Sequence, residues 1–351
     1  MSRSLMQTET SNMNRDRLSE LLSSHRPLVE QALKDSFEIP ADRNLALYRM
    51  MHFQLGWIDE SGEPQISDNE RLYGCLCLES AYLFDSNLVE KATIAAAVEL
   101  LKESIQTHED MQTANQYRYG RSAVWWLWGP AQSINVGDGL HALARLSLFT
   151  TEKSLQTESL LAAVGSLDSS ALSYYEGQYI DLELQERIDV SVKEYMKMAK
   201  AKYGSLLGGA LSLGAIASGA QQAEVQIMQK LGEAIGVASL VSEEIEAIWN
   251  PSRQSGRALN KSKLYPIVVG LEDAPLPQKR ELGGYYFKRV MDIDDLAAIK
   301  AILESLGAKE KTELFVEEQK IYAKTLLQSL NLNSTATDRW NELIENLVGQ
   351  K

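Results

Sequence analysis

The spacing of apolar residues constrains this chain more than any other feature. They recur at three- and four-residue intervals in Leu18–Leu33, Ala92–Ile105, Gly139–Phe149, Ser154–Leu167, Val190–Met198, Val225–Val241, Leu296–Leu306 and Val316–Leu330, the repeat that lines one face of an α-helix. No comparable set of alternating, β-branched segments accompanies them, so the spacing predicts a mostly or entirely α-helical fold. Turn signals are few: Asp59–Pro64 reads as a turn, Asn250–Lys263 as a polar loop, and Asp273–Gly284 as a loop holding Pro275 and Pro277. Nothing reads as a linker between independent cores. The expectation is a flexible polar tail over residues 1–25 and a single helical domain over residues 26–351.

At 351 residues the chain is long enough to bury a substantial core. Its formal net charge of −13 disfavours nucleic acid and anionic lipid, both of which reward a basic surface. The longest uncharged stretch, Tyr203–Ala223, is diluted by Gly204, Gly208, Gly209, Gly214 and Gly219. It is therefore expected to be a buried helix with close neighbours, not a stable membrane insertion. Cys75 and Cys77 stand too close together to staple distant segments, and the N-terminus lacks the pattern of a secretory signal. A cytoplasmic location is expected.

Two carboxylate clusters carry the chemistry. Thr107-His108-Glu109-Asp110-Met111-Gln112-Thr113 is followed by Tyr117-Arg118-Tyr119-Gly120-Arg121, and Ser242-Glu243-Glu244-Ile245-Glu246 comes much later. Acidic clusters on helices, one trailed by arginines, suggest two walls of a cation-filled cavity built to hold a diphosphate. Out of context Glu243, Glu244 and Glu246 are more often a solvated helix face than metal ligands. His108 also reads as a satisfied core histidine, and Trp125, Trp126 and Trp128 as packing against a neighbouring helix.

The order of segments resembles the trans-isoprenyl diphosphate synthases, the polyprenyl synthetase family, from about Leu45 to Leu271. The matching succession is Asn69-Glu70-Arg71-Leu72-Tyr73-Gly74, His108-Glu109-Asp110, Arg118-Tyr119-Gly120-Arg121, Gly137-Asp138, Gly177-Gln178-Tyr179-Ile180-Asp181, Lys202-Tyr203 and Glu243-Glu244. The resemblance implies an all-α fold, the isoprenoid-synthase helical bundle around a central cavity, and a homodimer. It further implies Mg²⁺ held by Glu109, Asp110, Glu243 and Glu244. Asp110, Arg118 and Lys202 are implied as catalytic groups, and Ser104, Arg118, Gln178, Lys202, Arg257 and Lys261 as contacts to an allylic prenyl diphosphate.

The departures from the family pattern matter as much. The family holds its co-substrate, isopentenyl diphosphate, with basic groups at positions that align with Glu70, Tyr73, Lys102 and Tyr119. Each lost charge-assisted contact removes roughly 1.5–3 kcal/mol. On the allylic side Arg118, Lys202 and Arg257 remain, while Thr113 replaces the closing carboxylate of the first motif. Glutamates stand for aspartates in the second motif, which matters because Mg²⁺ demands near-octahedral oxygens at about 2.0–2.1 Å. Retained allylic residues beside replaced co-substrate residues are expected to give terpene synthase chemistry. In that reading an allylic diphosphate of C15 or C20, linear or pre-cyclised, loses diphosphate to give a hydrocarbon or alcohol. Ser104 and Ile105 precede Glu109 where large aromatics shorten the prenyl channel in this family, in keeping with a long chain. The alternatives are a noncatalytic regulatory subunit and a prenyltransferase with an unusual acceptor.

Overall fold

The computed structural model describes residues 17–37, 45–67, 69–153, 155–187, 189–250, 262–288 and 291–349. Over these residues the chain is built of helices with one small hairpin. In chain order they are α1 (Arg26–Asp35), α2 (Ala46–Gln54), α3 (Leu72–Tyr82), α4 (Ala92–Gln112), the strands β1 (Tyr117–Arg118) and β2 (Arg121–Ser122), then α5 (Val124–Trp128), α6 (Pro130–Phe149) and α7 (Thr157–Gln185). There follow α8 (Val192–Ala199), a π-helical turn Lys200–Gly204, α9 (Ser205–Ala217), α10 (Gln222–Trp249), α11 (Tyr265–Asp273), α12 (Leu276–Phe287), α13 (Ile293–Ser305), α14 (Ala308–Gln328) and α15 (Ser334–Gly349). The helical class expected from apolar spacing is the class observed.

The described residues fall into two compact units, each discontinuous in sequence. One comprises the described parts of residues 22–168 and 209–226. At its centre lies α4, buried on every side: Ile94, Ala95, Ala96, Ala97, Leu100 and Leu101 are at most 3% exposed. A helix stretch buried on every side belongs in a core, and its run of alanines lets α1, α3 and α6 pack closely against it. That burial makes Glu99, Lys102 and Glu103 on the same helix consequential, because buried charges need partners.

The other unit comprises the described parts of residues 1–21, 169–208 and 227–351. One of its cores joins Leu184, Val190, Tyr195, Met198, Val237, Leu240, Val241 and Val268. A second joins Ile248, Leu264, Ile267, Leu282, Tyr286, Leu296 and Leu303. Each fully buried side chain of this size contributes about 1.5–3 kcal/mol. Trp340 on α15 is fully buried, and Arg339 donates to the Leu21 carbonyl at 2.7 Å.

Three expectations are corrected. Part of the expected tail is ordered: residues 17–22 are helical, and Leu18, Leu22 and His25 are at most 5% exposed. The expected loop at Asp273–Gly284 is largely helix α12, whose Pro277 sits in the first turn, where the missing N–H costs nothing. Tyr203–Ala223 is not one helix; α9 stops at Ala217, Gly219 adopts φ +71°, and α10 begins at Gln222. Its small residues do admit a close neighbour: a Cβ on Gly208 would lie 2.8 Å from the Gln229 carbonyl oxygen. Among the described residues no helix is long and apolar enough to cross a membrane.

Candidate functional site

The first carboxylate cluster ends α4. Thr113 closes that helix by donating its hydroxyl to the Glu109 carbonyl at 2.8 Å, and the chain then reverses through β1 and β2. Tyr117 pairs with Ser122 and Arg118 with Arg121. The turn residues Tyr119 and Gly120 have φ of 52° and 71°. Two positive φ values match the right-handed twist of a tight hairpin, but a tyrosine in that region carries roughly 1–2 kcal/mol of strain.

The hairpin sets Arg118 over Asp110. The guanidinium Nη2 lies 2.6 Å from Asp110 Oδ1, and Nε donates to both carboxylate oxygens at 2.8 and 2.9 Å. Asn115 Nδ2 adds a hydrogen bond at 2.8 Å, and Glu109 Oε2 stands 3.4 Å from Arg118 Nη2. Burial pushes the Asp110 carboxyl above its usual range, against the opposing pull of Arg118 and Asn115. The expected trio of Glu109, Asp110 and Arg118 is thus assembled.

A second cluster on α4 involves Lys102 and Tyr119, two positions that the family resemblance aligns with co-substrate ligands. Lys102 Nζ lies 3.0 Å from Glu103 Oε1 and 4.0 Å from Glu99 Oε2, and donates to the Tyr119 hydroxyl at 3.3 Å. Gln106 donates to the same hydroxyl at 3.1 Å. Glu103 also accepts from Gln54 at 2.8 Å and Asn69 at 2.6 Å. Arg71, fully buried, pairs with Glu30 at 2.8 Å and approaches Glu103 at 3.9 Å. Glu70 and Tyr73 are half-buried. Burial alone would raise the Glu103 carboxyl, yet Lys102 and Arg71 hold it below the usual carboxylate range. Glu99 and Glu103 escape a motif-based reading; the available signal is their position beside the alanine-rich run Ala92–Ala97 of the same helix.

Ser104 is fully buried, and its hydroxyl makes no hydrogen bond among the described residues. His108 is half-buried rather than in the core, packed on Gly137 with Nε2 3.5 Å from Asp138. Trp125 donates to the Asn115 carbonyl at 2.7 Å, and Trp128 packs edge-on to Phe53 with centroids 5.0 Å apart. The Trp128 contact is packing against α2, whereas Trp125 is tied by a hydrogen bond to the segment after α4.

In the other unit, α7 carries Gln178 and Asp181, both buried. Asp181 accepts from Lys202 Nζ at 2.8 Å, and the Tyr203 and Tyr174 ring centroids lie 5.3 and 6.0 Å from the same nitrogen. On α10 the two glutamates differ. Glu244 is 2% exposed and accepts from the Tyr195 hydroxyl at 2.6 Å and the Tyr265 amide at 2.7 Å; Glu243 is half-buried. Arg257 and Lys261 lie outside the described residues.

As arranged, two of the four carboxylates that the family resemblance assigns to Mg²⁺, Asp110 and Glu244, are engaged by protein donors. Both Asp110 oxygens accept from Arg118, and Glu244 anchors two donors of the helix packing. Among the described residues no three His, Cys, Asp or Glu side chains are grouped to share an ion.

Comparison with known proteins adds the following. Residues 57–245 match the family model described as polyprenyl synthetase. A geranylgeranyl diphosphate synthase of Mycobacterium tuberculosis is 24% identical over 280 residues, 78% of this chain and 79% of that one. A short chain isoprenyl diphosphate synthase of Methanothermobacter thermautotrophicus is 32% identical over 196 residues, covering 55% of this chain and 59% of that one. The crystal structure of a polyprenyl synthetase from Streptomyces coelicolor superposes with a TM-score of 0.84 at 26% identity, covering 94% of this chain and 99% of that one.

Proposed function

The chain belongs to the polyprenyl synthetase family, and on that premise we propose that it is an enzyme acting on an allylic prenyl diphosphate. The finer reading is a class I terpene synthase that cleaves the carbon–oxygen bond of that substrate without a second diphosphate. The bonding electrons leave with diphosphate, and the allylic cation then loses a proton or is trapped by water. Basic groups fixed near a leaving diphosphate stabilise the charge it develops. Each unit offers one candidate cation for that work: Arg118, held by Asp110, in one and Lys202, held by Asp181, in the other.

One observation carries the finer reading. At two positions where the family resemblance locates the co-substrate's basic ligands, Lys102 and Tyr119 are bonded to each other, and Glu103 neutralises the ammonium at 3.0 Å. A cation so occupied offers little to a second diphosphate. Chain elongation is the rival reading, favoured by the names of the relatives.

Purified protein incubated in magnesium buffer with C10, C15 and C20 allylic diphosphates, and with a bicyclic diterpenyl diphosphate, separates these readings when run with and without isopentenyl diphosphate. Hydrocarbons or alcohols formed without isopentenyl diphosphate support terpene synthesis, whereas longer diphosphates formed only with it establish elongation. No turnover across the panel shifts the assignment to a noncatalytic subunit. A cytoplasmic homodimer belongs to the same proposal; exposed Ile134, Leu146 and Phe149 on α6 supply apolar surface for a second copy, and light scattering in solution tests it.

A further inference from the structure

Lys202 sits in the π-helical turn Lys200–Gly204, between α8 and α9. A π-turn is an uncommon interruption that holds one residue more than an α-turn and recurs at functional sites. Something must keep it from relaxing into continuous α-helix, and the packing shows what does.

Helices pass on two sides without room for a methyl group. On one side, a Cβ on Gly177 of α7 would lie 2.5 Å from the Lys202 amide nitrogen and 2.8 Å from both Lys202 Cα and the Ala201 carbonyl carbon. A Cβ on Gly236 of α10 would lie 2.6 Å from the Tyr203 carbonyl oxygen. All of these obstacles are backbone, so no rotamer change relieves them. One helical turn beyond Gly177, Asp181 fixes the other end of the lysine by accepting from Nζ at 2.8 Å. Tyr174, one turn earlier on α7, flanks the same nitrogen. A single face of α7 therefore grips both the backbone and the ammonium of Lys202.

We propose that Gly177 and Gly236 are positioning residues that hold the π-turn in place and act on substrate only through Lys202. The inference rests on the reading above in which Lys202 meets the diphosphate. A preset ammonium needs no reorganisation when the anion arrives, which is where a rigid supporting shell has its effect.

The test is a double-mutant cycle read by calorimetric binding of inorganic diphosphate in magnesium buffer, with thermal unfolding as the check on folding. Lys202→Ala is expected to weaken binding tenfold or more, from the loss of about 1.5–3 kcal/mol for a hydrogen bond to a charged group. Gly177→Ala and Gly236→Ala are expected to weaken it about as much. Combining either with Lys202→Ala is expected to weaken binding no further than Lys202→Ala alone. Independent, multiplying losses would overturn the proposal, as would unchanged affinity in a folded Gly177→Ala protein. Should the alanine variants not fold, deletion of Lys200 serves instead, because it converts the π-turn to an α-turn while keeping the faces of α8 and α9 in register. That protein is expected to bind diphosphate like Lys202→Ala, and wild-type affinity would refute the role. If Lys202→Ala itself binds normally, the assignment of Lys202 to the diphosphate fails first, and the positioning role falls with it.

Discussion

Arg118 Nη2 lies 2.6 Å from Asp110 Oδ1, with Nε bonded to both oxygens of the same carboxylate. Bidentate pairing of this kind is geometrically specific and strong, and Asp110 is 2% exposed. Arg118→Met strands that carboxylate, and because Arg118 keeps some solvent contact the expected cost lies near the low end for broken buried pairs, about 3 kcal/mol by denaturant unfolding. Asp110→Asn removes a charge that burial disfavours but leaves Arg118 without its counter-charge, so its stability cost is expected to be smaller, about 1–3 kcal/mol. Diphosphate release by Asp110→Asn is nonetheless expected to vanish. Full activity in that variant would remove the first cluster from the site.

The two glutamates of α10 are expected to separate stability from activity. Glu244→Ala leaves the Tyr195 hydroxyl and the Tyr265 amide without their shared acceptor in a buried place. At about 1–3 kcal/mol for each stranded group, the loss is about 2–6 kcal/mol. Glu243→Gln is expected to change stability by no more than about 0.5 kcal/mol while reducing diphosphate release strongly. Unchanged release in Glu243→Gln would mark that residue as a solvated helix face.

These outcomes bear on what the sequence could reveal. Helices such as α4, α6 and α10 are legible because their apolar residues keep a three- and four-residue spacing. Helix α3 is buried along most of its length, from Gly74 to Ala81, so no amphipathic period announces it. Pro275 and Pro277 suggest a loop, yet proline in a first helical turn is well tolerated. The carboxylate clusters are visible as strings of letters, but their orientations are not. Neighbouring residues on a helix point about 100° apart, so Glu243 and Glu244 meet different surroundings. Likewise nothing in the order of residues says that Lys102 is matched by Glu103 and capped by Tyr119; that follows from a hairpin folding back over α4.

The Lys102–Glu103 pair gives a pH prediction. Glu103 is held below the usual carboxylate range in the folded protein, with an ordinary value of 4.5. A depressed carboxyl contributes stability above the unfolded value and loses it as pH falls through the folded one. The unfolding midpoint is therefore expected to drop as pH is lowered below about 4.5, and the drop should be shallower in the double variant Lys102→Met/Glu103→Gln. Lys102→Met alone removes the nearest cation from Glu103 but leaves it Arg71, Gln54 and Asn69, and is expected to cost about 1.5–3 kcal/mol at neutral pH. Equal acid sensitivity in the double variant would assign the acid loss to other carboxylates.

Tyr119 offers the sharpest test of the co-substrate reading. Its φ of 52° and its hydrogen bonds to Lys102 and Gln106 pull stability in opposite directions: glycine there relieves roughly 1–2 kcal/mol of backbone strain but loses the bonds to the hydroxyl, at about 0.5–1.5 kcal/mol each. Tyr119→Gly is therefore expected to fall within about 1 kcal/mol of wild type. Tyr119→Arg is expected to produce no chain elongation with isopentenyl diphosphate, because Glu70, Tyr73 and the neutralised Lys102 still stand at the other aligned positions. Replacing all four together, as Glu70→Lys, Tyr73→Arg, Lys102→His and Tyr119→Arg, is expected to introduce elongation detectable by mass spectrometry of the extracted diphosphates. Elongation by the single variant or by wild type would show that the second subsite survives without these groups, and the chain would then be a prenyl diphosphate synthase that holds its co-substrate by other residues.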